Sequence, residues 1–592
     1  MTTTLTTPSG STVRDLNKNG RLDIYEDPSQ PVDARVEDLL SQMTLAEKAG
    51  LLFQTMAPLG AWRVLPSGEE LITTKLMNFF NVIGVAPVRE MAEWYNALQK
   101  VAEESRLGIP VTVSTDPRHM FSDNLGANFN AGEFSHWPEP LGFAAPRFRP
   151  RRAIRRYRPP GVRGRRHSRC ATSGGRCGHR TALSAHQRHL QRGRGSGRRS
   201  RRRLHSRLSG ERTRADVGFL HDQTFPGRWA AKDGEDPHFP YGQGAGLSRR
   251  QLRLSPRAVR EGVRGRHRPG MPYYGMPVGI GCEEVGFGFN KGIITGLLRD
   301  HYGFDGIVCS DWGLVSDANI MGKFLPARAW GVEHLSEIER VKKILDAGCD
   351  QFGGEACPHY VIELVESGQI PESRIDESAK RLLREKFILG LFDNPYVDVE
   401  AAVALVGNDE FTAAGNLAQR RSIVFLKNDA GLLPIRSTEG LCPEGIDPEA
   451  LANDADVVPT VEEADLAILA SRRPSNHVTN SGWKRSSTPE VSRSQTQSAI
   501  ASGDHPRSAD HRRHLPRPTG VIPEIAASCA ALTANFGAEA SAIVDVMFGR
   551  FTPEGKLPFE MPSSMDAVRA QKSDLPYDSK APLFPFGHGL SW

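Results

Sequence analysis

The strongest constraint on the fold is a design that occurs twice: a β-branched, buried-type run ending abruptly on polar residues. IPVTVST (109 to 115) runs straight into Asp116-Pro117-Arg118-His119. FDGIVCSDWG (304 to 313) has Ile307 to Cys309 as its strand, delivering Ser310, Asp311 and Trp312 at the end. Between and after these runs lie stretches with apolar residues at three- and four-residue spacing, NKGIITGLLRDHYG (290 to 303) and EIERVKKILDAGCD (337 to 350). Strands alternating with amphipathic helices imply parallel β/α units, and polar residues at strand tips are where a barrel keeps its chemistry. Further upstream, ARVEDLLSQMTLAEKAGLLFQTMA (34 to 57) reads as a helical pair, with Thr44 and Glu47 forming a capping box for the second half. From about residue 398 a second α/β pattern begins, with RRSIVFLKND, ADLAILA and SAIVDVMFG as strands or short helices of an open sheet. The connection near 390 to 415 is the expected domain boundary.

The charge distribution sets one region apart. The chain of 592 residues carries a formal net charge of +6, but 24 arginines and a single acid, Glu211, lie between Arg147 and Arg214. The remainder is therefore acidic, at −17. No lysine occurs between Lys100 and Lys232. Phosphate binding accepts both cations, so arginine alone, mixed with Pro, Gly, Ser, His and Cys, has the texture of GC-rich DNA read out of frame. Residues 246 to 270 and 471 to 520 share that texture and adjoin well-patterned sequence on either side. A solvated insertion and a nucleic-acid arm are the alternatives. An arginine-dense segment cannot fill a barrel, because each buried unpaired guanidinium costs several kcal/mol.

Other classes are narrowed by what the text lacks. No apolar run reaches the roughly 18 residues of a membrane span, and MTTTLTTPSGSTVRDLNKNG has no basic-then-apolar leader pattern, so the expected compartment is the cytoplasm. The eight cysteines (170, 177, 282, 309, 349, 357, 442 and 529) form no CxxC pair and argue for neither zinc nor a disulfide framework. DLNKNGRLDIYE (15 to 26) matches the calcium-loop pattern, with Asp15, Asn17, Asn19, Gly20, Asp23 and Glu26 at loop positions 1, 3, 5, 6, 9 and 12. TTPSGSTVR before it is no helix, so bound calcium and a metal-free cluster of Asx turns both stay open.

A carboxylate beside a tryptophan suits carbohydrate chemistry, since an indole stacks on a sugar face while a carboxylate attacks the anomeric carbon. A helix cap or salt bridge is the plainer reading of Asp311. The segment GFDGIVCSDWG resembles the nucleophile motif of glycoside hydrolase family 3. TLAEKAGLL, STDPRH, KDGEDPHFPYG, MPYYGMPVG, SRIDESAKRLLREKFILGLFDNPYVD, RRSIVFLKNDAGLLPI, FGRFTPEGKLPF and LFPFGHGLSW agree with it in order. The resemblance implies an α/β protein with a TIM-type β/α barrel followed by an α/β sandwich. That gives a lead-in at 1–33, a barrel over 34–398 with 147–224 and 246–270 aberrant, and a sandwich over 399–592 with 471–520 aberrant. It implies a retaining exo-β-glycosidase, foremost a β-glucosidase, with β-xylosidase and β-N-acetylglucosaminidase as alternatives. The expected substrate is a small oligosaccharide or an aryl or alkyl β-glycoside, with no organic cofactor. By position Asp311 is the implied nucleophile, Asp116 holds sugar hydroxyls, and Tyr274 and Trp312 line the pocket. Arg118 and His119 are further binding candidates, for which support of the loop is an equal alternative, and Tyr273 is packing.

Departures accompany the agreement. Gln223 and Thr224 stand where the family has a Lys-His pair before its Phe-Pro-Gly. The family's Arg-Trp substrate loop belongs within 147 to 214 and is absent there. The acid/base Glu belongs just after ADLAILA, inside 471 to 520, where Glu490 is the one Glu and receives no assignment. These losses predict impaired activity for the chain as written. A catalytically dead sugar-binding protein and an arginine-rich nucleic-acid binder remain the rival classes.

Overall fold

The computed structural model describes residues 4–7, 10–59, 67–121, 130–146, 223–225, 230–231, 237–238, 240–246, 269–279, 281–320, 323–436, 440–472, 496–502, 521–571 and 577–592. The arginine block and nearly all of 246–270 and 471–520 lie outside them.

Seven parallel strands form one continuous row: β1 (Phe53–Pro58), β2 (Phe79–Ile83), β3 (Thr112–Thr115), β4 (Gln223–Phe225), β5 (Gly270–Pro272), β6 (Cys309–Trp312) and β7 (Gln351–Gly353). The spatial order is β4-β5-β6-β7-β1-β2-β3, with β5 joined to β6 by the bridge Gly270 to Val308. The last strand thus pairs with the first, Phe352 opposite Phe53. That is how a sheet closes into a barrel. Among the described residues the row is open between β3 and β4, the interval that contains the arginine block.

Two element expectations change. The helical pair is real but shorter: Val32–Gln42 and Leu45–Leu51 are helices, and FQTMA is the start of β1. A run this short and apolar has no periodicity that separates a buried strand from a helix, and pairing on both sides decided it. The nucleophile-motif strand runs over Cys309–Trp312 instead of ending at Cys309. The expected helices at 290–303 and 337–350 form over Gly292–His301, with π-type bonding, and Glu337–Ala347. The capping box of Thr44 and Glu47 is present in both halves.

The second sheet has the order β8 (Val424–Asn428), β12 (Ala531–Asn535), β11 (Thr496–Ser502), β10 (Leu466–Arg472) and β9 (Leu441–Glu444). β11, from the aberrant segment, runs antiparallel to both neighbours. SAIVDVMFG is helical, over Ala540–Met547. Apolar layers cover both faces of this sheet, and one of them takes in Leu141 and Ala145 from a loop of the first domain. At the boundary, the helix Val399–Leu405 packs back on the first domain, its Glu400 clamping Arg89 at 2.6 and 2.8 Å. No helix among the described residues is long and apolar enough to cross a membrane.

Candidate active site

The polar residues that interrupt the apolar strands meet at the C-terminal ends of the row. Gln54 donates to Ser114 Oγ (2.6 Å), Ser114 donates to Asn81 Oδ1 (2.9 Å), and Asn81 donates to Asp116 Oδ2 (3.2 Å). Cys309 Sγ reaches Gln54 Oε1 at 3.7 Å, linking β6 to the same chain of hydrogen bonds. Buried polar groups are tolerated because they are paired in this way. Asp116 is thereby fixed at the tip of β3.

Asp311 is buried, 2% exposed, and its Oδ1 accepts the Trp312 N–H at 2.9 Å. Between Cys309 and Trp312 the pairing to β7 shifts register, so three steps of β6 oppose two of β7. Asp311 lies in this bulge, a device that bends a strand and re-aims a side chain beside a site. Ser310 closes it by donating to Asp311 O (3.0 Å) and accepting from Gly353 N (2.9 Å).

The Trp312 indole lies on bare backbone: a Cβ placed on Gly353 or Gly354 would come within 2.7 Å of it. Its Nε1–H is buried with no partner among the described residues. Tyr274 donates its hydroxyl to Trp312 O (2.9 Å), and Arg328 lies over the Tyr274 ring at 5.1 Å while reaching Trp312 O at 3.3 Å. Tyr273 packs against Phe287, ring centroids 5.2 Å apart.

Arg118 is spent on the frame. It donates to Thr115 Oγ1 (2.7 Å), Gly84 O (2.6 Å) and Val82 O (3.2 Å), tying the β3 tip to that of β2. His119 differs, since neither ring nitrogen has a partner among the described residues and burial lowers its pKa to about 4. The ring is neutral at pH 7, with one N–H and one lone pair to offer.

Sequence reasoning missed Gln54, Asn81, Ser114, Arg328 and Glu355. The first two carry a readable signal, an amide inside FQTMAP and FFNVI, but only once those runs are known to be strands. Glu355, two residues past β7, accepts from Val315 N (2.8 Å) and Ser316 N (3.3 Å).

The loop at 15 to 26 is closed by its own hydrogen bonds. Asp15 accepts from Asn19 N (3.1 Å) and Gly20 N (3.0 Å), and Glu26 accepts from Leu16 N (2.6 Å) and Asp23 N (3.1 Å). The Asn17 and Asn19 side chains both donate to Asp23 Oδ2, at 2.5 and 2.7 Å, so nitrogens face the position where a calcium ion needs oxygens. Among the described residues no group of three or more His, Cys, Asp or Glu is arranged to hold a metal. This arrangement fits calcium poorly.

The two domains meet through the loop 130–146. His136 Nδ1 lies 2.6 Å from Glu539 Oε1, which holds that carboxyl below the usual range, and Glu139 N donates to Phe536 O at 2.7 Å. The Glu139 carboxyl is buried at this junction and pushed up to about 8.

A closing row of parallel strands with a carboxylate and an indole at one strand's bulged end, followed by a second α/β domain, is an arrangement suited to a carbohydrate-active hydrolase. Comparison with known proteins makes this specific. The family model described as Glycosyl hydrolase family 3 N terminal domain matches residues 282–385, and that of the family's C-terminal domain matches 442–592. A probable β-glucosidase C of Aspergillus oryzae is 40% identical over 97% of this chain and 92% of its own length. A periplasmic β-glucosidase/β-xylosidase of Dickeya chrysanthemi is 34% identical over 99% and 94%. A solved β-glucosidase of Erythrobacter marinus superposes with a TM-score of 0.63 at 19% identity, covering 96% of this chain and 84% of that one. The chain belongs to glycoside hydrolase family 3, and it is a glycoside hydrolase of two-domain architecture.

Proposed function

We propose that this chain is a retaining, exo-acting β-glucosidase in which Asp311 is the nucleophile. The carrying observation is Asp311 itself, a buried carboxylate set in a bulge at a barrel strand's C-terminal end. A carboxylate oxygen bonds to C1 of the terminal glucose, the glycosidic bond breaks, and water later releases the sugar from the ester. Asp116, held by Asn81, accepts from sugar hydroxyls, and the buried neutral His119 ring, with neither nitrogen partnered among the described residues, is the neighbouring group a further hydroxyl would meet. Trp312, backed by Gly353 and Gly354, offers its other face as a platform, and Tyr274 keeps it there. β-Glucosidase is preferred over β-xylosidase because the relatives at 40% identity are named for the former, while the Dickeya relative carries both names.

Turnover is expected to be low, since Gln223 and Thr224 stand where the family has a Lys-His pair and the acid/base carboxylate belongs to the aberrant 471–520 segment. Missing acid catalysis matters least for a leaving group that departs without a proton. A 2,4-dinitrophenyl β-glucoside is therefore expected to be cleaved at least about a hundredfold faster than an alkyl β-glucoside. Asp311→Asn is expected to abolish both reactions. Equal rates for the two substrates, or activity surviving in Asp311→Asn, would overturn this reading; preference for the xyloside or the N-acetylglucosaminide would change the sugar. The cytoplasm remains the proposed compartment, in keeping with the lack of any disulfide among the described residues. Cell fractionation tests it, and recovery in the periplasm, where the Dickeya relative is named to reside, would refute it.

A further inference from the structure

The segment carrying Asp311 continues through Gly313 to Ser316 before the hairpin of Ala318–Ile320 and Lys323–Leu325. The tip of β7 follows it level by level. Gly353 N donates to Ser310 Oγ (2.9 Å), Gly313 N donates to Gly353 O (3.2 Å), and the Gly353-Gly354 backbone lies under the Trp312 ring. One residue further, Glu355 Oε1 accepts both Val315 N (2.8 Å) and Ser316 N (3.3 Å), and the side chain is only 3% exposed.

We propose that Glu355 is a positioning residue for Asp311, its carboxylate gripping the Val315–Ser316 amides so that the bulged strand end keeps the nucleophile presented. The proposal rests on the reading of Asp311 above. Two further bonds act on the same turn: Arg340 Nη1 donates to Val315 O (2.9 Å), and Arg328 N donates to Gly313 O (2.8 Å). Both leave amide hydrogens untouched, so the N–H side of the turn depends on Glu355. Removing that acceptor would strand two N–H groups in a closed environment, and the turn would move to find water.

The grip has a sensitivity that a neutral acceptor would lack. Burial pushes the Glu355 carboxyl up to about 7, against the pull of the Val315 and Ser316 amides. The other ionisable groups around it are Glu337, which adds to the rise, the Cys357 thiol, and Lys75, whose ammonium donates to Ala356 O (2.6 Å). Tyr360 faces away to Glu337 Oε2 (2.9 Å), and Arg340 is occupied on the Val315 and Glu333 carbonyls. An ionised acceptor binds an amide N–H roughly twice as strongly as a neutral one. While the carboxyl stays buried, the Val315 and Ser316 amides therefore grip it more firmly above about pH 7 than below it, although ionisation in that buried place costs the fold as a whole.

The test is the rate at which the full chain is labelled by 2,4-dinitrophenyl 2-deoxy-2-fluoro-β-D-glucoside, followed by intact mass and peptide mapping between pH 5.5 and 8.5. In that step an Asp311 oxygen bonds to C1 and dinitrophenolate leaves with the bonding pair, so no acid/base residue is needed. In the wild-type chain the label is expected on Asp311, with a rate constant rising about threefold through pH 7. Glu355→Ala should lower the rate constant at saturating reagent by roughly ten- to a hundredfold, while the half-saturating concentration moves less than about threefold. Glu355→Gln keeps a neutral acceptor, so it should restore the rate to within about threefold and lose the rise through pH 7. Unchanged labelling in a folded Glu355→Ala chain, or a Glu355→Gln chain that keeps the wild-type rise, would overturn the proposal. If Glu355→Ala does not fold, the Glu355→Gln profile alone decides. A wild-type label on another residue, or none, removes the nucleophile itself, a failure that the peptide map distinguishes from the other.

Discussion

The Trp312 indole can lie at the end of β6 only because the two residues beneath it lack side chains, and its proposed use as a sugar platform depends on that. At Gly354 the constraint is double, since φ is +78° and a Cβ would stand 2.7 Å from the indole. Gly354→Ala is expected to weaken binding of a glucose-like inhibitor at least tenfold and to cost about 1 to 3 kcal/mol of stability, checked by calorimetry and thermal melting. A variant that binds as tightly as the parent would show that the ring's position is unimportant. Tyr274→Phe removes one hydrogen bond to Trp312 O and should cost about 1 kcal/mol by the same measurements. Asp311 and Trp312 were legible because a strand-end carboxylate beside an indole is unusual and sits in a recognisable motif. Arg118 illustrates the opposite. Its type suggested a ligand contact or an ion pair, but its partners include two carbonyls of a neighbouring strand's tip, which no local sequence records.

At the scale of elements, the signals confined to one turn of chain were reliable. Thr44 and Glu47 exchange hydrogen bonds as the capping box requires, Thr44 N to Glu47 Oε2 at 2.9 Å. Thr44→Ala is expected to cost about 1 kcal/mol in a melting experiment. The calcium-loop pattern was equally local, and its turns formed. What the pattern could not show is that the Asn17 and Asn19 amides would both donate to Asp23, leaving the loop satisfied without a cation. Titration of the whole chain with calcium should give no saturable heat at micromolar metal and no change in melting temperature. A binding isotherm that Glu26→Gln abolishes would reverse that view. Strand edges are the weak point: the run of β1 reads as helix and that of β6 as ending at Cys309, because short apolar runs carry no period and their ends are set by partners far away in sequence.

The whole molecule is joined by a loop whose residues belong to both domains. Leu141 and Ala145 enter the second domain's apolar layer, and His136 and Glu139 meet Glu539 and Phe536. Burial pushes Glu139 up to about 8 and Glu355 to about 7, both above the ordinary carboxyl value. Each group therefore favours the fold fully below about pH 4.3, where the unfolded chain is also protonated, and that contribution drains away as pH rises through 7 to 8. Glu539 has the opposite sign, because His136 holds it low, and its contribution is lost as pH falls below the ordinary value. Melting temperature is expected to peak between about pH 4 and 5 and to fall toward pH 8.5, with a shallower fall in Glu139→Gln. A flat profile from 5 to 8.5 would contradict this.

The sequence by itself determined the β/α alternation, the second α/β unit, the capping box and a carboxylate beside an indole at a strand's end, because each is written in the spacing of neighbouring residues. The tertiary structure decided that the last strand closes on the first, that Gln54, Ser114 and Asn81 line up to hold Asp116, and that a glutamate 44 residues beyond Asp311 grips its loop. Those features are contacts between distant segments, and a distance through space is set only when the core has formed.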